Sequence, residues 1–189
     1  MMGRRLAWVA AAVVGLAAGG FAFHFPGSFD LASPDPAAAA FGLMIGAIHG
    51  LLLGLLLRMA GGHGGPRLLA STVVLVSITH ALHDGLPAAL GLPVVALLSG
   101  LAAVSTFAVV GGIRERAWLL ACFVGWAGGL VAGELVSTAL GLPASETPLG
   151  WAVDHAVVGA VAGLVWGGAT ASAGSREVRA AQPAPGALR

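Results

Sequence analysis

Six apolar stretches follow one another along this chain, each close to the length of a membrane-crossing helix. They cover residues 6–25, 37–57, 68–90, 93–113, 117–140 and 149–169. About 20 apolar residues, rising 1.5 Å each, cross a hydrocarbon core ~30 Å thick. Lipid offers no hydrogen bonds, so every backbone N–H and C=O in such a stretch must be paired within the protein. Helices or a closed barrel satisfy that demand, and the alternating polarity of barrel strands is absent. The expected fold is all-α: a polytopic membrane helical bundle of six transmembrane helices. Residues 1–169 form a single transmembrane domain, and 170–189, ending Gln-Pro-Ala-Pro-Gly-Ala-Leu-Arg, are expected to be a disordered cytoplasmic tail. Composition agrees, at 58% hydrophobic and only 9% charged, where soluble domains carry about 25% charged residues.

The basic residues orient the bundle. There are nine, all arginine: Arg4, Arg5, Arg58, Arg67, Arg114, Arg116, Arg176, Arg179 and Arg189. They fall in alternate gaps between the spans. The other gaps (26–36, Gly91-Leu92 and 141–148) hold none. Arginine collects on the cytoplasmic side of membrane proteins, so both termini are expected in the cytoplasm of a bacterial-type inner membrane. The apolar spans make the lipid bilayer the expected partner, and a net charge of +1 does not suggest nucleic acid. A chain of this size also fits a homo-oligomer or a heteromeric membrane complex. The single cysteine, Cys122, rules out an internal disulfide and reads as a small buried apolar side chain.

Local signals place several helix starts. Asp35 before Pro36 and Thr147 before Pro148 each read as an N-cap followed by proline at the first helical position, and Pro93 fits the same first position. Small residues recur every four positions in span two (Gly42, Gly46, Gly50, Gly54) and span six (Gly159, Gly163, Gly167). Such stripes let helix backbones approach closely. The first span also has the outline of a secretory signal, with Arg4-Arg5, an apolar run and Ala17-Ala18-Gly19. Internal similarity opposes that reading. Trp8, Gly15, Gly19 and His24 share their spacing with Trp118, Gly125, Gly129 and Glu134, and Ala89-Leu90-Gly91-Leu92-Pro93 recurs at 139–143. A three-fold repeat of a two-helix hairpin would account for both matches. Trp8, Trp118 and Trp151 lie near span ends and read as interfacial anchors, whereas Trp126 and Trp166 are expected to pack or face lipid.

Ionisable residues inside spans are costly and face the bundle interior or a water-filled cavity. His49 lies beside the Gly46/Gly50 stripe and His155 lies on the span-six stripe, so both are expected on packed faces. His80, His83 and Asp84, at i, i+3 and i+4, share one face with Ser77. Imidazoles and carboxylates together suit divalent transition metals. The expected metal set is therefore His49, His80, His83, Asp84 and His155, with Glu134, Asp154 and His24 supporting, opening from the outer side away from every arginine. His63, in a glycine-rich cytoplasmic loop, is expected to be solvated. The same groups could relay protons. Two other readings stay open. One is a non-catalytic structural or accessory subunit whose histidines hydrogen-bond between helices; the other is a haem or metal-dependent membrane enzyme. No nucleophile triad, nucleotide motif or ATPase signature is present in the sequence.

Overall fold

A computed structural model describes residues 2–22, 34–61, 65–87, 90–142 and 147–180. It contains helices α1 (Met2–Ala22), α2 (Pro36–Met59), α3 (Gly65–Gly85), α4 (Gly91–Val109), α5 (Arg116–Ala139) and α6 (Pro148–Ala180), and no strand among the described residues. All six are long and apolar enough to cross a membrane. The chain is an all-helical, multi-pass membrane protein.

Two helix starts follow the expected chemistry. The Asp35 carboxylate accepts hydrogen bonds from the backbone N–H groups of Ala37 and Ala38 at 2.8 and 3.2 Å. The Thr147 hydroxyl accepts from Gly150 N–H at 2.9 Å. Asp35 also donates its own N–H to the carbonyl of Gly85 at 3.1 Å, tying the start of α2 to the end of α3. Other boundaries differ from expectation, each for a local reason. Helix α3 stops at Gly85 and not at 90, because Pro87 has no N–H to donate and disfavours helix in the residue before it. Helix α4 begins at Gly91 and ends at Val109, not 93–113. Pro93 therefore sits inside its first turn. Gly112 takes a left-handed φ of 69°, and Ile113 N–H returns to the Phe107 carbonyl at 3.0 Å, which closes the helix end. Helix α6 continues to Ala180, past the expected end at 169. Residues 170–180 include alanine, arginine and glutamate and lack proline, which lets the helix propagate. Residues 181–189 lie outside the described residues.

The helices close into a ring. Each packs against its two neighbours in chain order, and α6 returns to pack against α1. Neighbours run antiparallel, and the glycine stripes set their spacing. A methyl group on Gly42, Gly46 or Gly50 would stand 2.5–2.7 Å from the carbonyl oxygens of His80, Val76 and Thr72 on α3. Gly159 and Gly163 meet the α1 backbone at Ala12 and Val9 in the same way. Gly125, Gly129 and Gly133 of α5 face Trp166, Val158 and Asp154 of α6. Helix α6 is thus buried on two faces, one against α1 and one against α5.

Two layers fill the ring. Toward the end that carries Arg5, Arg58, Arg67 and Arg116, aromatic rings interlock. Phe107 lies 5.3 Å from Trp118 and 5.4 Å from Trp166 between ring centroids, and Trp126 stacks on Trp166 at 5.8 Å. Trp8 is 2% exposed and Trp118 8%. These two do not serve as interfacial anchors. Trp8, Ala12 and Leu16, like Trp118, Cys122 and Trp126, are spaced four apart and share the buried face of their helix. Above this layer the Trp126 indole N–H donates to the Thr79 hydroxyl at 2.9 Å, linking α5 to α3. The second layer, toward the opposite end, contains histidines.

Candidate metal centre

His49, His80 and His155 converge from α2, α3 and α6. One ring nitrogen from each lies within 4.8 Å of the others. Ring centroids stand 5.4 Å apart for His49 and His80, 5.3 Å for His49 and His155, and 6.0 Å for His80 and His155. His49 is fully buried, His80 is 5% exposed and His155 is half-buried. Burying three imidazoles together in an apolar bundle is costly unless their nitrogens are paired.

The pairing fixes which nitrogens are free. His49 Nε2 lies 3.1 Å from the Leu16 carbonyl of α1. A carbonyl only accepts, so Nε2 carries the proton and Nδ1 keeps its lone pair. That Nδ1 accepts from His80 Nε2–H at 3.2 Å, so a metal bound here displaces that proton. His155 Nδ1 lies 3.0 Å from the Trp151 carbonyl and 3.1 Å from Asp154 Oδ2. The Trp151 carbonyl accepts the hydrogen bond, so His155 Nδ1 is protonated and Nε2 is the nitrogen left for a metal, with the Asp154 carboxylate standing beside it as a charged neighbour. Metal-binding histidines have this arrangement: one ring N–H held by a carbonyl or carboxylate, the other nitrogen available. A tetrahedral metal ~2.0–2.1 Å from each imidazole holds the nitrogens about 3.3 Å apart. The His49–His80 pair already stands at 3.2 Å. The remaining edges, 4.8 Å or less, shorten when a metal binds all three.

Glycines shape the walls. A Cβ at Gly19 of α1 would overlap the imidazole of His49, and one at Gly20 would lie 2.8 Å from the Trp151 carbonyl and 3.1 Å from His155 Cγ. Trp151 stacks on His155 at 5.0 Å and 19°, and also approaches His80 at 5.8 Å.

The five expected ligands divide. His49, His80 and His155 come together. His83 and Asp84 form a separate pair, Nδ1 to Oδ1 at 3.0 Å, with the His83 side chain 60% exposed. His83 touches the trio's surroundings through an edge-on contact with Trp151 at 6.0 Å. Of the supporting residues, Asp154 sits against His155. Glu134 is half-buried and accepts a hydrogen bond from Thr138 in its own helix at 3.3 Å. His24, like His63, lies outside the described residues. Four contributors escape the sequence reading: the Leu16 carbonyl, Gly19, Gly20 and Trp151. The adjacent glycines at 19 and 20 are a usable signal, because two consecutive residues without side chains open two directions of close approach at one level of a helix.

The chain matches no protein-family model, no curated protein and no solved structure.

Proposed function

We propose that this membrane protein binds a divalent transition-metal cation at His49, His80 and His155 and admits it from the side opposite the arginines. The observation that carries this reading is the convergence of three imidazoles from three helices, with ring nitrogens within 4.8 Å. Two of these histidines have their other nitrogen held by a backbone carbonyl. Imidazole favours Zn, Ni, Co, Cu and Fe over Mg and Ca, which take oxygen ligands. In this account His83 and Asp84 form the approach to the site, since His83 is exposed and borders Trp151. The positive-inside rule puts the arginine end, and both termini, in the cytoplasm of an inner membrane. The aromatic layer at that end stands between the histidines and the cytoplasm. Passage of a cation through the protein therefore requires a second packing of Phe107, Trp118, Trp126 and Trp166.

A second reading is favoured by one specific observation. His49 is already satisfied on both nitrogens, by Leu16 and His80, so the three histidines also work as a hydrogen-bonded clasp in a non-catalytic accessory subunit. Metal stoichiometry separates the two. Detergent-purified protein is equilibrated with Co2+ or Zn2+, desalted and assayed for bound metal. Metal binding predicts one ion per chain, lost in the His49→Ala/His80→Ala/His155→Ala variant and kept in His83→Ala. Absence of bound metal in the unaltered protein refutes it and leaves the clasp.

A further inference from the structure

One buried charge has no part in the trihistidine ligand set. Asp154 is 7% exposed and lies about two turns into membrane-spanning α6. A carboxylate there is expensive and needs a partner. Its nearest charged neighbour is His155, with Nδ1 at 3.1 Å from Oδ2, and His83 also feels its charge. Consecutive residues on a helix point about 100° apart and do not ordinarily face each other. The adjoining helix makes the contact possible. Gly133 of α5 lies so close that a methyl there would stand 2.5 Å from Asp154 Oδ1 and 2.7 Å from its carbonyl oxygen. The missing side chain leaves just enough room for the carboxylate beside His155.

We propose that Asp154 is the charge partner of the metal centre: standing 3.1 Å from His155 Nδ1, it supplies the negative charge that offsets the bound cation. This inference rests on the trihistidine reading and deepens it. Three neutral imidazoles bring no charge to a divalent ion. In a low-dielectric interior an adjacent carboxylate offsets part of that charge and makes its imidazole a stronger donor to the metal. The Trp151 carbonyl accepts the Nδ1–H at 3.0 Å. It sets the tautomer, but it carries no net charge. The two roles separate by substitution. Asp154→Asn keeps an acceptor of the same shape and removes the charge, whereas Asp154→Glu keeps the charge at slightly greater reach.

The test uses the full chain in detergent, with Co2+ as probe because its visible bands report ligand number and field. Asp154→Asn is expected to weaken Co2+ binding ~10–100-fold, the usual cost of losing an outer-shell partner, and to shift the visible bands. Asp154→Glu recovers most of the affinity. Thermal melting of each variant controls for folding, and a purely structural aspartate would change melting without moving the spectrum of the bound metal. Equal Co2+ affinity and an unchanged spectrum in folded Asp154→Asn overturn the proposal while the trihistidine reading stands. Failure of the unaltered protein to bind Co2+ overturns both.

Discussion

Replacing Gly19 by alanine tests the least expected part of the site, the contribution of α1. His49 is locked on three sides. Nε2 donates to Leu16, Nδ1 accepts from His80, and the Cδ2–Nε2 side of the ring lies against Gly19 where a methyl would overlap it. The ring cannot stay if the methyl is added. Overpacking a tight core costs about 1–3 kcal/mol, and losing the bond to Leu16 adds about 1 kcal/mol. The better helix propensity of alanine returns about 0.5–1 kcal/mol. The net loss is about 2 kcal/mol, which lowers the melting temperature of a chain this size by ~4–8 °C. Displacing His49 also removes a direct ligand, so Co2+ affinity falls by more than the ~10–100-fold of an outer-shell loss. Gly128→Ala is the matched control. It lies on the exposed face of α5, where an added methyl meets nothing within 4 Å, and it should melt at or slightly above the unaltered protein with full affinity. Tryptophan-fluorescence melting and Co2+ titration of both variants decide the matter. A Gly19→Ala protein with unaltered melting and affinity would refute the placement of His49 against α1.

Three further outcomes are expected. Trp126→Phe and Thr79→Val each remove one partner of the buried 2.9 Å hydrogen bond between α5 and α3; each should cost about 1–3 kcal/mol alone, and the double variant should cost clearly less than the sum in a chemical-denaturation cycle. Asp35→Ala removes the cap on Ala37 and Ala38 and should cost about 1 kcal/mol, whereas Asp35→Ser should recover most of it in the same melt. Metal affinity should not rise as pH falls, because each ligating imidazole must be neutral; Co2+ titrations across acidic pH read the sign directly, and affinity that rises in acid contradicts imidazole ligation.

Much of the bundle is legible in the sequence. Six long apolar runs, the caps at Asp35 and Thr147 and the glycine stripes follow from helix period and from the demands of lipid. His49 and His155 can be placed on packed faces because each lies beside a glycine stripe, and a stripe marks where a neighbour packs. The face holding His80, His83 and Asp84 is harder. His80 and His83 are three residues apart, about 60° around the helix, so one stripe covers both on paper. Near the end of a bundle, however, only the neighbour's reach decides what is covered. Helix α2 covers His80, whereas the His83 side chain is 60% exposed. The role of α1 is invisible in the sequence because a backbone carbonyl and two glycines carry no chemical label. The tryptophans at 8 and 118 mislead for a different reason. Their depth in the membrane suggests anchors, but helical phase overrides it: their four-residue spacing to Ala12 and Cys122 places them on a packed face.

X-ray absorption at the edge of the bound metal reads the ligand set itself. Trihistidine ligation predicts an ion held by three imidazole nitrogens at ~2.0–2.1 Å, with one imidazole lost from the signal in each of His49→Ala, His80→Ala and His155→Ala and none lost in His83→Ala. A coordination shell dominated by carboxylate oxygen, or one that changes with His83 and not with His49, would contradict it.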